Sequence, residues 1–277
     1  MKLPKIFEHF RQGQIFTIDE AREKLQTTGN TLRKRLSELA ARGYIYPIRQ
    51  GLYRVSTIGE NPEKAKSCPF AIASKLTPYC YVGFQSSLQL HAQEIPAAQD
   101  IVYVVSPSKF NSFSFEGRFY FWCQAPEAHG LETQFLKDGN IEFPVLVTNF
   151  EKSVVDCLKR PAHSPPFCDL LRLCKTSAHV PDLDKIIRYG TDCNVSALFN
   201  RLGFFLDCMK EFWDIPSELL LQVEQRISRK QTEWPIAFAQ ARKEKNQDFS
   251  NPTIDTHSNS RWKIQFTREE TAESLAM

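Results

Sequence analysis

Residues 17–55 constrain the fold most, because they set out the signals of a small recognition module in a fixed order. Thr17 and Glu20 have the spacing of a capping box, which starts a helix by satisfying two orphan backbone donors reciprocally. That helix is expected over 18–26, with Ile18, Ala21 and Leu25 facing inward. Thr27-Thr28-Gly29-Asn30 reads as a tight turn. A second amphipathic stretch, 31–42, places Leu32, Leu36, Leu39 and Ala40 on one face at i, i+4, i+7 and i+8. Gly43 then supplies the left-handed residue that stops a helix. Upstream, Ile6, Phe7 and Phe10 give residues 4–11 a short helical face, ended by Gly13. Downstream, Tyr44–Val55 alternates around Gln50-Gly51 as a β-hairpin does. Two helices joined by a glycine-containing turn and followed by a ribbon make a winged helix-turn-helix.

The outward groups suit a duplex. The 31–42 helix would turn Asn30, Arg33, Lys34 and Ser37 outward, with Arg35 at the flank and Thr28 and Thr31 at its start. Arg and Asn pair bidentately with guanine and adenine edges, while Lys, Ser and Thr suit phosphates. Arg49 and Arg54 on the ribbon are expected to touch the backbone or the minor groove. Residues 1–55 carry eleven Lys/Arg against five Asp/Glu, a net of +6, while the remainder carries 24 against 27, a net of −3. A basic small module on a slightly acidic larger one points to a polyanionic partner, double-stranded DNA. The alternative is a winged helix that grips protein partners.

The domain reading is 1–55 as the DNA-binding winged helix, 56–67 as a polar linker, and 68–277 as a larger mixed α/β domain whose C-terminal half is helical, an α+β chain overall. In that larger domain Ile101–Ser106 reads as a strand. Hairpins are expected around Glu116-Gly117 and Asp138-Gly139. Asn149 caps a helix from 150 to 159, successive helices fill 168–230, 245–260 is irregular, and Trp262–Phe266 is a closing strand. Tyr79, Tyr81, Phe84 and Trp122 are read as core, and His91 as a satisfied core or cap residue. Glu151, Lys152 and Asp156 are read as local pairs on one helix, and Arg201 as a structural anchor. Eight cysteines include no Cys-x-x-Cys and no zinc spacing, so they are read as reduced and mostly buried, and no metal is expected. No secretory h-region or membrane-length apolar run is present in the sequence, so the expected compartment is the cytoplasm, away from any membrane.

At this level the chain resembles the AbiEi family, the antitoxins of AbiE-type bacterial abortive-infection systems. The likeness lies in TIDEAREKLQTTGNTLRKRLSELAARGYIYPIRQGLYRV at 17–55, FAIASKLTPYCYVGFQSSLQLH at 70–91, FPVLVTNFEKSVVDCL at 143–158, RLGFFLD at 201–207 and SRWKIQF at 260–266. Residues 160–168, RPAHSPPFC, depart from it, lacking a glycine-rich stretch after the preceding helix. The resemblance implies a type IV antitoxin, active in phage defence, that represses its own operon by binding inverted repeats. It also implies a nucleotidyltransferase-like toxin as functional partner, counteracted without a stable complex, and a second domain used in both tasks.

An enzyme reading has little in the sequence to rest on, so no enzymatic activity and no cofactor are expected. A nucleotidyltransferase needs a Gly-Ser turn and an Asp-x-Asp metal pair. No Gly-Ser occurs, and the one Asp-x-Asp, Asp182-Leu183-Asp184, opens an expected helix, where acids favour the dipole. A nucleic-acid-processing enzyme targeted by the winged helix would have to draw on Glu116, Glu142, Glu151, Lys152 and Asp156, which follow no catalytic spacing.

Overall fold

The computed structural model describes residues 6–59, 66–97, 100–124, 129–193, 195, 197–234 and 256–267. Contacts divide the chain into two compact units, Met1–Val82 with Pro96–Val147, and Gly83–Ile95 with Thr148–Met277. The division does not fall at 56–67, where the sequence suggested a linker. Both described ends of that stretch are tied down. Ser56 donates its N–H to the Tyr44 carbonyl (3.0 Å), and Ser67 donates its N–H and hydroxyl to Glu116 (2.7 and 3.0 Å).

The first unit opens with the winged helix. Helix α1 (Ile6–His9), strand β1 (Ile15–Thr17), helices α2 (Ile18–Leu25) and α3 (Gly29–Ala41), and strands β2 (Ile45–Arg49) and β3 (Leu52–Val55) follow in order. The capping box is formed: Thr17 N–H donates to the Glu20 carboxylate (2.8 Å), and Glu20 N–H to the Thr17 hydroxyl (3.2 Å). Helix α3 starts two residues earlier than the apolar spacing suggested and ends at the expected glycine. There, Gly43 N–H bonds Ala40 O (2.9 Å) and Tyr44 N–H bonds Leu39 O (3.0 Å). With Gly43 at φ +71°, this is a Schellman motif. Strand β1 is a feature that the periodicity did not reveal. It pairs antiparallel with β3, making a three-stranded sheet of order β1-β3-β2. Ile6, Phe10, Phe16, Leu32, Leu36, Ile45 and Val55 form its buried core.

The rest of this unit is a six-stranded sheet beside helix α4 (Pro69–Ala73). Its strands are β4 (Tyr81–Val82), β5 (Ile101–Ser106), β6 (Phe113–Phe115), β7 (Arg118–Gln124), β8 (Leu131–Asp138) and β9 (Ile141–Thr148), in the order β6-β7-β5-β4-β9-β8. Strand β5 runs parallel to β7 and antiparallel to β4. Its Val102–Ser106 are buried, as an interior strand covered on both faces requires. Both expected hairpin turns are present, with Glu116 and Gly117 at φ +49° and +77° and Gly139 at φ +58°. At Glu116-Gly117, positive φ at both central positions matches the right-handed twist of the strands they join, while in the Gly139-Asn140 loop only the glycine has it.

The second unit is mainly helical. Its helices are α5 (Phe84–His91), α6 (Phe150–Lys159), α7 (Phe167–Thr176), α8 (Leu183–Asp192), α9 (Leu198–Cys208) and α10 (Ser217–Glu224), with α5, α8 and α9 packed on α6, which is buried along most of its length. Strands β10 (Thr232–Glu233), β11 (Thr256–Asn259) and β12 (Ile264–Thr267) form a small sheet. Thus 256–259, expected to be irregular, is a strand, while 245–255 lies outside the described residues. Asn149 caps α6 as expected, accepting the Lys152 N–H at 2.9 Å. Lys152 and Asp156 pair within α6, but Glu151 does not join them. Its buried carboxylate instead accepts the Asp182 N–H and bonds His179 Nε2, both at 3.0 Å. His91 Nε2 bonds the Thr148 carbonyl (2.8 Å), and Arg201 donates to the Leu158 carbonyl (3.0 Å). Tyr79 departs from the core reading: it is 86% exposed, whereas Tyr81 and Phe84 are buried and Trp122 is half-buried. All eight cysteines are free thiols, and Cys80, Cys123, Cys157, Cys168 and Cys174 are buried.

Candidate nucleic-acid interface

Helix α3 is held by its inner face and leaves its outer face open. Leu32 and Leu36 are each 1% exposed, while Thr28, Asn30, Thr31, Arg33, Lys34 and Ser37 are exposed. Arg35 is half-buried at the flank. The helix begins sharply, after Gln26 at φ +48° and with Gly29 at φ +60°. Its first turn holds no acid, so the positive end of the helix dipole is not countered from within that turn. Glu38 is the one acid on the helix, and it lies one turn beyond Lys34. The arrangement therefore presents two cations, an amide and hydroxyls on one face at the spacing of a groove-reading helix.

The ribbon does not behave as the sequence suggested. Arg54 was expected on its outside, yet it is only 6% exposed. Phe16, Tyr53 and Val55 pack with Leu32 and Leu36, so Arg54, out of phase by one residue, lies on the opposite face of the sheet. That face is not solvent. A Cβ at Gly13 would sit 3.5 Å from Ile141 and 3.9 Å from the Arg54 guanidinium, so strand β9 lies beside it. Arg49 is also engaged. Its guanidinium lies 5.5 Å from the Phe110 ring and 5.1 Å from the Phe113 ring, with Nη1 buried and without a hydrogen-bond partner. Period-two alternation assigns a face but not what covers it, and here the rest of the unit covers it. Both arginines are removed from the candidate interface, which contracts to α3 and the turn before it.

A cross-connection invisible in the sequence ties the capping box to the chain beyond the winged helix. Lys75, just past α4, bonds the Glu20 carboxylate of the capping box at 2.5 Å. Burial raises the Glu20 pKa, but Lys75 and the Thr17 N–H outweigh it and hold the carboxyl below the usual range. The carboxylates weighed for catalysis do not converge. Glu116 holds Ser67, Glu142 is exposed on β9, and Glu151 and Asp156 lie in the other unit. Among the described residues, no group of three His, Cys, Asp or Glu side chains could hold a metal ion.

No family model matches the chain, and no curated protein matches it. Among solved structures it is similar to the Rv2827c protein from Mycobacterium tuberculosis, with a TM-score of 0.61 at 11% identity, covering 95% of this chain and 90% of that one. At this identity the likeness concerns the fold alone, an α+β architecture shared over nearly the whole length. No helix among the described residues is long and apolar enough to cross a membrane.

Proposed function

We propose that this chain is a DNA-binding transcriptional repressor that reads operator DNA in the major groove through α3, and that it also serves as a type IV antitoxin. One observation carries the DNA reading: Asn30, Arg33, Lys34 and Ser37 stand exposed on one face of a helix whose other face is buried. In this reading Arg33 and Asn30 contact base edges, while Lys34, Ser37 and the hydroxyls of Thr28 and Thr31 hold phosphates. The net +6 of residues 1–55 supplies the attraction that brings the duplex in.

The antitoxin role rests on the AbiEi resemblance of the sequence, which extends from the winged helix to the closing strand. In this reading the protein acts in the bacterial cytoplasm and opposes a nucleotidyltransferase-like toxin without a lasting complex. Fluorescence anisotropy with labelled duplex from the region upstream of the chain's own gene tests the first role. Saturable binding that is lost in an Arg33→Ala, Lys34→Ala double variant is expected, and binding unaffected by that variant would overturn it. Co-expression with the adjacent gene product tests the second. Growth arrest relieved by this chain is expected, and arrest that persists at equal expression would overturn it.

A further inference from the structure

We propose that Lys75 tunes DNA binding by cancelling the charge of Glu20, the acid that the capping box places on the helix crossing the DNA backbone. This inference rests on the DNA-reading proposal above and adds to it a residue from outside the winged helix. In a helix-turn-helix the second helix enters the major groove, while the first crosses the sugar–phosphate backbone. Here α3 is the groove helix and α2 the crossing one. A charge on α2 then lies within about a Debye length, roughly 10 Å at 0.1 M salt, of a phosphate.

Helix capping and DNA binding make opposite demands on α2. The capping box needs a side chain at position 20 that accepts the Thr17 N–H, and Glu20 does so at 2.8 Å. The same carboxylate repels a phosphate. Both acids in the first turn of α2 are answered by a cation. Asp19 has Arg22, at 2.6 Å, from within the helix. Glu20 has Lys75, at 2.5 Å, from beyond α4 and 55 positions away. Glu23, further along α2, is flanked in sequence by Arg22 and Lys24, and the first turn of α3 holds no acid. The Glu20 and Lys75 side chains are 32% and 35% exposed, and an ion pair that reaches solvent adds little to stability. Its larger consequence is electrostatic: the start of α2 becomes neutral toward an approaching duplex.

Three roles for Lys75 give three different patterns. As a charge balance, Lys75 matters only while position 20 carries a carboxylate. As a phosphate contact, it matters whatever stands at position 20. As a structural tie, its loss is felt equally at low and high salt, because screening acts on charges and not on packing.

Affinity for labelled duplex from upstream of the chain's own gene is measured on the full chain at low and moderate salt. The proteins compared are the unaltered chain, Lys75→Met, Glu20→Gln, the double variant and Lys75→Arg, with thermal midpoints taken on the same preparations. Glutamine at position 20 keeps the capping box. At low salt Lys75→Met is expected to bind about threefold more weakly than the unaltered chain and Glu20→Gln about threefold more tightly, with the double variant and Lys75→Arg within about twofold of it. The Lys75→Met deficit should shrink between about 50 and about 200 mM salt, as the Debye length falls from about 14 to about 7 Å. A double variant as weak as Lys75→Met, a deficit undiminished at the higher salt, or equal binding by all five proteins overturns the inference. Should Lys75→Met fail to fold, Glu20→Gln decides alone, and affinity no tighter than that of the unaltered chain overturns it. If the unaltered chain binds the duplex while the variants match it, this inference falls and the DNA reading stands. If the unaltered chain binds no duplex, both fall.

Discussion

The indole of Trp262 lies so close over Gly203 that a Cβ built on residue 203 would stand 2.1 Å from two of its ring atoms. Trp262 is fully buried, and its Nε1 donates to Asp207 at 2.9 Å. Asn200, on the same helix, donates to the Trp262 carbonyl, also at 2.9 Å. The ring is thus pinned and cannot move aside. Gly→Ala inside a helix ordinarily gains about 1 kcal/mol. Here Gly203→Ala is expected to cost about 1–3 kcal/mol through overpacking. Gly190→Ala is the control, since its Cβ would meet the Leu202 methyl at 3.3 Å, a contact that a small shift relieves. Urea denaturation of both variants checks the contrast. A Gly203→Ala midpoint at or above that of Gly190→Ala would contradict it.

Alanine substitutions should separate α3 from the ribbon. Arg33→Ala is expected to weaken operator binding by about 1–3 kcal/mol and to relax preference at one base position. Arg49→Ala should leave operator affinity of the folded protein within twofold. Its loss falls on stability, by about 1 kcal/mol, because the guanidinium leaves the Phe110 and Phe113 rings. Binding isotherms and thermal midpoints measured on the same preparations distinguish the two patterns.

The withdrawal of Arg49 and Arg54 also sets the salt dependence. With Arg33 on a base edge, Lys34 and the half-buried Arg35 are the cations of α3 left for the backbone, so about two phosphates are neutralised per protomer, giving a slope of log K against log[salt] near −2. A ribbon that also gripped the backbone would add about two contacts and bring the slope to roughly −4. Titrations across a range of salt concentrations read the difference directly.

Acid should weaken the fold through two carboxylates. Burial raises the pKa of Glu151, but the Asp182 N–H, its own N–H and His179 outweigh it and leave the pKa lowered. Glu20 is lowered by Lys75 and Thr17 against the same opposing burial. A carboxylate with a depressed folded-state pKa contributes stability that is fully present above its unfolded value, about 4.3. That contribution is lost as pH falls from there through the folded value. Stability measured by urea between pH 7 and pH 3 should therefore drop on the acid side. The drop should be shallower in Glu151→Gln, and an unchanged acid limb in that variant would refute the assignment.

The features read correctly from the sequence are those determined over a few residues. Thr17 with Glu20, Asn149 with Lys152, and the glycines at 43, 117 and 139 each act on backbone groups within about one helical turn. What escaped depends on distant partners. Ile15-Phe16-Thr17 is too short to display an alternation, and it becomes a strand only because β3 lies beside it. Arg54 alternates as an outward residue should, but β9 and Gly13 occupy that outside. Tyr79, at φ +59°, is turned out by its backbone although its chemistry favours the core. Lys75 reaches Glu20 across 55 positions, a separation at which no local pattern carries information.

The first unit's chain leaves at Gly83, builds α5 in the other unit, and returns at Pro96 to complete its sheet before leaving again at Thr148. Helix α5, with Phe84, Ser86, Ser87, Leu88, Gln89 and Leu90 destined for burial, packs on α6, which starts at Phe150. On a ribosome adding roughly 5–20 residues per second, α5 therefore waits several seconds before its partner helix exists. During that interval its apolar side chains are a natural target for chaperones that hold nascent chains. Synthesis rate and chaperone supply, rather than the stability of the finished protein, would then govern how much of this chain reaches its folded form.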